Sequence, residues 1–387
     1  MTPDAVLGAS ALAIWLYLLI GRGRFWLARQ RDDREPMFRP DGWPSVVAIV
    51  PARDEADVID QSIQSLLRQD YTGALRIVLV DDGSADGTAE SAARAAESLG
   101  VRDRLDVVMG SAVPAGWTGK LWALQQGVHH VTQASVQPDY LLLTDADIGH
   151  TPDNVRSLVT RAEVEGRVLV SLMAELSCTS LAERFLIPAF VFFFQMLYPF
   201  AWVARKERAA AAAAGGCMLV HRAALQRAGG IASIQSEIID DCALARRLKA
   251  QGPIWLGLTR RARSLRPYGG LQEIGRMISR SAYAQLGYSP LLLAGTIAGL
   301  AWIYLVPPIL TIIAAGPARW MGLGAWVAMA LALQPMLRFY RVSPLWGLAM
   351  PAIAMAYGAF TINSALQMWR GRGGMWKGRA QAMTGGT

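Results

Sequence analysis

The chain has 387 residues, of which 53% are hydrophobic and 18% charged, and its positive mean hydropathy excludes a fully solvated enzyme. The formal net charge is +8, but the basic residues cluster beside apolar runs without interleaved aromatic residues, which argues against nucleic acid and favours anionic lipid or diphosphate as partners. The three cysteines are widely spaced and form no Cys-x-x-Cys pair, so the sequence predicts neither a disulfide framework nor a zinc site.

Residues 1–24 predict an N-terminal transmembrane anchor. Residues 5–20 form an uncharged apolar run of about one bilayer thickness, and basic residues follow it from Arg22 to Arg34. A cleavable signal peptide would carry its charges before the apolar run and a cleavage site after it, and neither pattern is present. Because loops rich in Lys and Arg stay in the cytoplasm, we expect the next domain there.

Between residues 45 and 260, short apolar runs alternate with amphipathic helical stretches. Strands are predicted at 45–50, 75–80, 105–109, 140–144 and 168–173. Helices are predicted at about 56–69, 119–131 and 152–165. This alternation predicts an α/β fold with a mostly parallel sheet, covered by helices on both faces, whose ligands bind at the carboxyl ends of the strands.

Two carboxylate-rich motifs follow predicted strands, PARDE at 51–55 and DDGS at 81–84. Carboxylates at these positions can accept hydrogen bonds from a nucleotide base and from ribose hydroxyls. Loop carboxylates before helices are also common N-caps. We prefer the N-cap interpretation for Asp54 and Asp57 and the nucleotide-binding interpretation for Asp82.

The Asp145-Ala146-Asp147 triplet ends the predicted strand 140–144. Its two carboxylates can hold a hard divalent cation, Mg²⁺ or Mn²⁺, through oxygen ligands, and the cation would neutralise charge on a departing diphosphate. A single Asp-x-Asp is weak evidence, because turns are rich in Asp. Its place after an apolar strand, in register with the other motifs, strengthens the prediction.

Lys120 follows Gly116-Trp-Thr-Gly119 at the predicted start of a helix. Free backbone N–H groups and the Lys120 ammonium would suit phosphate oxygens. The alternative is a solvated lysine on an amphipathic helix. The spacing differs from that of a Walker A loop, so a P-loop nucleotidase is disfavoured.

Asp240 and Asp241 open another predicted helix after two isoleucines. One of these carboxylates could serve as a general base. The alternative is an acidic helix start that the macrodipole favours.

Residues 185–204 are apolar enough to cross a bilayer. A single crossing would put Asp145 and Asp241 on opposite sides of the membrane. We therefore expect an interfacial or re-entrant element, with a buried core helix as the alternative.

The C-terminal third predicts membrane helices. Residues 271–286 suit an interface helix, on which Arg276 and Arg280 are possible diphosphate contacts. Residues 291–369 hold three apolar runs, which would leave the C-terminus outside, whereas the basic tail after 369 favours the cytoplasm. The number of crossings and the side of the C-terminus stay open.

Taken in order, PARDE, DDGSADGT at 81–88, the Gly119-Lys120 pair, the Asp145–Asp147 triplet and DDCALARRL at 240–248 resemble the family 2 glycosyltransferases. More narrowly, PAGWTGKLWALQQGV at 114–128 and the flanking apolar segments look like the hopene-associated glycosyltransferases of bacterial hopanoid clusters, relatives of ceramide glucosyltransferases. The resemblance implies a GT-A-like nucleotide-diphospho-sugar-binding domain on the cytoplasmic face of the bacterial inner membrane.

The resemblance also implies roles in an inverting transfer to a lipid hydroxyl. Glu55 and Asp82 would hold the nucleoside, with Pro51 and Arg53 in the same donor-binding motif. Lys120 and Asp145 would hold the diphosphate side. Asp147 would bind the metal with Asp145. Asp241 would be the base and Asp240 a secondary group.

Two alternatives stay open. A membrane polysaccharide synthase is disfavoured, because the Gln-x-x-Arg-Trp motif of processive synthases has no counterpart near residues 276–283. A non-catalytic sugar-nucleotide-binding scaffold is disfavoured by the presence of Asp145, Asp147 and Asp241. The sugar, the nucleotide base and the lipid acceptor are not defined by the sequence.

Overall fold

A computed structural model describes residues 2–33, 42–133, 137–371, 373, 375–376 and 379–380. The chain divides into two compact units. The helical unit comprises Met1–Arg29, Cys178–Ala201 and Tyr268–Gly374, and the sheet unit comprises Gln30–Ser177, Trp202–Pro267 and the residues from Met375 onward. Arg34 and most of the basic C-terminal tail, on which two sequence expectations rested, lie outside the described residues.

The secondary structure follows in chain order. The helices are α1 (Pro3–Ile20), α2 (Ile59–Leu67), α3 (Thr88–Ser98), α4 (Gly119–Thr132), α5 (Asn154–Glu165), α6 (Leu181–Leu197), α7 (Phe200–Val203), α8 (Arg222–Arg227), α9 (Asp240–Lys249), α10 (Leu271–Ser281), α11 (Pro290–Leu300), α12 (Val306–Ile313), α13 (Gly316–Phe339) and α14 (Met350–Trp369). The strands are β1 (Val46–Ala52), β2 (Leu75–Asp81), β3 (Leu105–Met109), β4 (Tyr140–Thr144), β5 (Ile148–His150), β6 (Leu169–Glu175), β7 (Cys217–His221), β8 (Ile254–Ser264), β9 (Met375–Trp376) and β10 (Arg379–Ala380).

Within the described residues, eight strands of the sheet unit form one sheet in the order β3-β2-β1-β4-β7-β6-β8-β5. Strands β3, β2, β1 and β4 are parallel neighbours, and β6 pairs parallel with β8. All residues of β1 and β4 are buried, as expected for strands covered on both faces. The predicted α/β class with a mostly parallel sheet is confirmed.

The parallel register aligns the carboxyl ends of the strands that carry the motifs. Ala52 at the end of β1 lies opposite Asp81 at the end of β2. Ile49 of β1 lies opposite Leu143 of β4, one residue before the end of that strand. Because neighbouring parallel strands end at one edge of a sheet, the polar segments after β1, β2 and β4 lie side by side.

Three strands of the eight-stranded sheet, β5, β7 and β8, were not predicted from the sequence. Strand β7 runs antiparallel between β4 and β6, and β5 pairs antiparallel with β8. Strand β7 has only five residues, and the second half of β8 contains Arg260, Arg261 and Arg263, which a hydropathy pattern assigns to solvent. Pairing partners distant in sequence, rather than local periodicity, define these strands.

The helical unit contains long apolar helices. Five helices of the described chain are long and apolar enough to cross a membrane: Pro3–Ile20, Leu181–Val203, Pro290–Ile313, Gly316–Phe339 and Pro344–Trp369. The third is irregular, because a π-helical turn at Ala301–Leu305 precedes Pro307. Arg22, at the end of α1, donates hydrogen bonds from Nε to the carbonyl of Met196 (2.6 Å) and from Nη2 to that of Leu197 (3.2 Å). An arginine thus satisfies carbonyls that the end of α6 leaves unpaired.

Helix α4 packs closely on the sheet through Gly127. A Cβ at this position would lie 2.5 Å from Cγ2 of Ile49 and 3.1 Å from Cγ2 of Val80. Glycine is therefore needed for the close approach of α4 to β1 and β2, even though it destabilises a helix when it lies in the interior. The packing fixes the helix whose first turn carries Lys120.

We expect Gly127→Ala to destabilise the protein by about 1–3 kcal/mol, because the added methyl group overpacks the interface between α4 and the sheet. Thermal unfolding of purified protein in detergent measures the effect. The control is His129→Ala, an exposed change on the same helix. An unchanged melting temperature in Gly127→Ala would contradict the proposed close packing.

Candidate active site

A cleft of the sheet unit opens at the carboxyl ends of β1 and β4. Its polar lining is formed by Lys120, Asp145, Asp240 and Asp241. Its other lining residues are Pro51, Leu121, Leu124, Leu143, Thr144, Gly215, Met218, Ile231, Ile234 and Leu244. Motifs separated by more than 100 residues therefore meet in one place.

Lys120 joins the two acidic motifs. Its Nζ lies 2.8 Å from Oδ1 of Asp145 and 3.4 Å from Oδ2 of Asp240. Thr118 caps α4 by accepting a hydrogen bond from the Leu121 N–H, so Lys120 sits in the first turn. Burial alone would lower the pKa of Lys120, but the carboxylates of Asp145 and Asp240 outweigh burial and raise it. The Lys120 side chain is therefore a permanent cation between two carboxylates, and not the solvated lysine of the alternative interpretation.

Asp241 is held by backbone donors. Gly215 N–H donates to its Oδ2 (3.0 Å), and Cys242 N–H donates to its Oδ1 (2.6 Å). Burial raises the pKa of Asp241 to about 6 and the neighbouring charge of Asp240 adds to the rise, while Lys120 opposes it. A carboxylate with this pKa is ionised at neutral pH and more basic than an exposed aspartate, which suits a general base.

Gly215 makes the close contact between these groups possible. A Cβ at this position would lie 3.3 Å from Nζ of Lys120 and 3.7 Å from Oδ2 of Asp241. Gly215 carries no sequence signal, because it lies in a segment without a motif, between an alanine run and β7.

The Asp145 and Asp147 carboxylates fit a metal ion only in part. Burial raises the pKa of Asp147 to about 6, with further contributions from Asp145 and Glu55, so this position would gain from a nearby cation. Among the residues the structure describes, no group of three or more His, Cys, Asp or Glu side chains could hold a metal by itself. Mg²⁺ commonly binds through one or two carboxylates, with substrate phosphates and water completing its shell.

The predicted nucleoside carboxylates are both buried and paired. Arg53 Nη1 donates to the carbonyl of Asp82 and lies 3.7 Å from its Oδ2. Glu55 forms an ion pair with Arg266, and its backbone N–H donates to Oγ1 of Thr88 (2.9 Å). Both carboxylates therefore face an arginine at the carboxyl edge of the sheet.

The N-cap interpretation of Asp54 and Asp57 was wrong. Helix α2 starts after Val58, and Oδ1 of Asp54 instead accepts a hydrogen bond from Ala85 N–H (2.9 Å), which joins the two loops. Asp54 has a left-handed φ of 50°, which an Asp tolerates better than most residues. Asp57 pairs with Arg266 at 2.8 Å.

The remaining predicted site residues lie in the other unit. Arg276 and Arg280 are exposed on α10 of the helical unit, so their contact with a diphosphate stays a prediction. Arg266, which the sequence analysis missed, belongs to the sheet unit. No motif marks it, because its partners Glu55 and Asp57 lie about 210 residues away in sequence.

Known proteins match different parts of this chain. Residues 47–229, just under half of the chain, match the family described as Glycosyl transferase family 2. An N-acetylglucosaminyltransferase of Rhizobium leguminosarum bv. viciae is 29% identical over 177 residues, 46% of this chain and 37% of that protein. An uncharacterized glycosyltransferase of Escherichia coli strain K12, YaiP, is 35% identical over 118 residues, 30% of this chain and 26% of that protein. The chain thus spans only about a third of the length of these curated relatives.

The fold as a whole resembles that of a solved mannosyltransferase. A mannosyltransferase from Pyrobaculum calidifontis, solved with GDP-Man and Mn²⁺, is similar with a TM-score of 0.58 and 19% identity. The match covers 95% of this chain and 99% of that one. It supports the GT-A-like fold.

We expect Lys120→Met to lower stability by up to about 3 kcal/mol, because it leaves Asp145, Asp240 and Asp241 without their shared cation. The loss should be larger at pH 8 than at pH 5. Burial and Asp240 raise the pKa of Asp241 and Lys120 lowers it, so without Lys120 the pKa of Asp241 lies further above that of the unfolded chain, and its protonation on acidification relieves the repulsion. Melting temperatures at the two pH values measure this. Lys206→Met, on an exposed lysine of the same unit, is the control. An equal loss at both pH values would contradict the charge argument.

Proposed function

We propose, from the family 2 glycosyltransferase domain at residues 47–229, that this chain transfers a sugar from a nucleotide-diphospho-sugar to a lipid hydroxyl with inversion at the anomeric carbon. The observation that carries the proposal is the Lys120 bridge, which joins the Asp-x-Asp triplet to the helix that carries Asp241. The proposed diphosphate-binding group and the proposed base therefore lie in one cleft.

The donor would bind along the carboxyl edge of the sheet. Glu55 and Asp82 would accept hydrogen bonds from the nucleoside, beside Pro51 and Arg53. Lys120 would face the diphosphate as a fixed cation, and its pairing with Asp145 orients it toward the cleft. A cation that is already in position contributes to catalysis, because the groups around the diphosphate need not reorganise during the reaction.

Asp145 and Asp147 would hold a Mg²⁺ or Mn²⁺ ion together with the donor phosphates. The ion, when bound, would supply positive charge that stabilises the leaving diphosphate. The mannosyltransferase with the similar fold was solved with Mn²⁺, which supports the assignment. The raised pKa of Asp147 also supports it, because a buried carboxylate that faces the charge of Asp145 is stabilised by a nearby cation.

Asp241 would act as the base. It would take the proton from the acceptor hydroxyl as the oxygen attacks the anomeric carbon from the face opposite the leaving nucleotide. Asp240 is engaged by Lys120 at 3.4 Å, whereas Asp241 is held by two backbone N–H groups, and this difference favours Asp241 as the base.

The acceptor would be a membrane lipid. The five helices that could cross a bilayer support a membrane enzyme, and the resemblance of residues 114–128 to hopene-associated enzymes supports a hopanoid-type acceptor at the cytoplasmic face of a bacterial inner membrane. A polysaccharide synthase and a non-catalytic scaffold are the alternatives.

Helix α6 would enter the membrane region and return on the same side. Asp145 and Asp240 contact one ammonium group, so both lie on one side of any bilayer, and the chain between them contains α6. The segment Leu181–Val203, which comprises α6 and α7, is therefore proposed to be interfacial or re-entrant, although it is long enough to span.

Asp241→Asn and Asp147→Asn should each lower the rate of sugar transfer at least about 100-fold, because one removes the base and the other a charged oxygen ligand. Purified protein in detergent is incubated with UDP- and GDP-sugars, Mg²⁺ or Mn²⁺, and bacterial lipid extract. Asp103→Asn, an exposed change in the same unit, is the control and should keep full activity. The proposal fails if both variants keep full activity. It also fails if the wild type transfers sugar from none of the donors.

The pH dependence of kcat/KM should report the protonation of Asp241. Its pKa of about 6 predicts an acid limb there, below which the rate falls tenfold per pH unit because the base is protonated. An acid limb near pH 4 would contradict the assignment of a buried base.

The proposed path of α6 predicts that both of its ends are accessible from one side of the membrane. Leu181 and Leu197 are exposed near the two ends, so Leu181→Cys and Leu197→Cys can be labelled in a Cys178→Ser background. A membrane-impermeant maleimide should modify both cysteines in inside-out vesicles and neither in right-side-out vesicles, as for the control Asp103→Cys. Labelling of the two ends from opposite sides would establish a crossing instead.

A further inference from the structure

Arg266 lies beside Glu55, the predicted nucleoside carboxylate, and close to the Asp145–Asp147 triplet. It follows β8 by two residues, and the preceding residue, Leu265, donates its backbone N–H to the carbonyl of Asp147 (2.8 Å). The guanidinium pairs with Glu55 and, at 2.8 Å, with Oδ1 of Asp57. The Arg266 side chain keeps 33% of its surface exposed, so solvent and solutes can reach it.

The charge of the site makes this arginine unusual. Six carboxylates belong to the proposed site, Glu55, Asp82, Asp145, Asp147, Asp240 and Asp241, and Asp57 shares Arg266 with Glu55. The neighbouring cations with established partners are Arg53 beside Asp82, Lys120 between Asp145 and Asp240, and Arg266. A diphosphate that approaches Asp145 and Asp147 adds roughly two more negative charges and needs further compensation.

Arg266 is the cation that can change partners most readily. The side chains of Arg53 and Lys120 are only 16% and 19% exposed, whereas that of Arg266 is 33% exposed. Arg266 contacts Glu55, which the nucleoside would engage, and Asp57, whose side chain is 59% exposed. Ion pairs with exposed carboxylates contribute little to stability, so the pair with Asp57 can be exchanged at low cost.

We propose that Arg266 is a donor-binding residue that exchanges partners: it pairs with Glu55 and Asp57 in this structure and with the donor diphosphate in the complex. The inference rests on the proposed function, because it needs a nucleotide-diphospho-sugar in the cleft. The planar guanidinium suits both states, since its fork of N–H donors matches carboxylate and phosphate oxygens equally well. The exchange frees Glu55 to accept hydrogen bonds from the nucleoside.

This exchange predicts opposite effects of two substitutions. Arg266→Gln removes the phosphate contact but also frees Glu55. It should weaken binding of a nucleoside diphosphate by about tenfold or more, the range of a hydrogen bond to a charged group, and leave binding of the nucleoside unchanged or tighter. Asp57→Asn removes a carboxylate that competes with the diphosphate for Arg266. It should therefore tighten binding of the nucleoside diphosphate by about twofold to threefold.

Calorimetric titration of the full-length protein in detergent with Mg²⁺ tests the inference. The probes are UDP, GDP, uridine and guanosine, and the variants are Arg266→Gln, Arg266→Lys and Asp57→Asn. Arg263→Gln is the matched control, because Arg263 is an exposed arginine on β8, three residues earlier. It should bind all probes like the wild type, and Arg266→Lys should recover part of the diphosphate affinity.

The outcomes separate this inference from the proposed function. If the wild type binds UDP or GDP and Arg266→Gln binds the diphosphate and the nucleoside with equally reduced affinity, Arg266 only supports the fold and the inference fails. Unchanged diphosphate binding in Arg266→Gln also overturns it, while the proposed function stands. If the wild type binds none of the four probes, both fail.

Discussion

The ion pair network of Lys120 determines how the rest of the site is arranged. One ammonium group lies 2.8 Å from Asp145, after a central strand, and 3.4 Å from Asp240, at the start of a helix almost 100 residues later in the chain. A buried lysine with a single carboxylate would lose charge-solvation energy without full compensation, whereas two carboxylates stabilise its charged form. The position of Asp241 follows from this bridge, because it is the next residue of the same helix turn.

The surrounding structure serves to hold that bridge in place. Gly127 lets α4 lie close on β1 and β2, Thr118 caps its first turn, and Gly215 leaves room for the Lys120 ammonium beside Asp241. The two carboxyls with a pKa raised to about 6, Asp147 and Asp241, lie on the two acidic motifs that Lys120 joins. Perturbed carboxyls of this kind are typical of functional sites, because burial and like charge shift the pKa toward the value that acid–base chemistry at neutral pH needs.

Much of the sheet unit could be predicted from the sequence, because local hydropathy defines most of its strands. Strands such as β1, β2 and β4 are continuous apolar runs that end in polar motifs, so both their place and the edge of the sheet that carries the ligands follow from hydropathy. Strand β7 and the basic half of β8 could not be found in this way, because their pairing partners are distant in sequence. For the same reason Arg266 and Gly215 escaped notice: each is defined by what it contacts across the fold. The roles of Arg276 and Arg280, on a helix of the other unit, stay predictions.

A structure of the full-length protein with a bound nucleoside diphosphate and Mn²⁺ tests the central claim most directly. The account predicts that the diphosphate lies between Lys120 and the Asp145–Asp147 triplet, with the metal on those two carboxylates and Asp241 facing the position of the anomeric carbon. A nucleotide bound away from this edge of the sheet, or a diphosphate that makes no contact with Lys120, would contradict it.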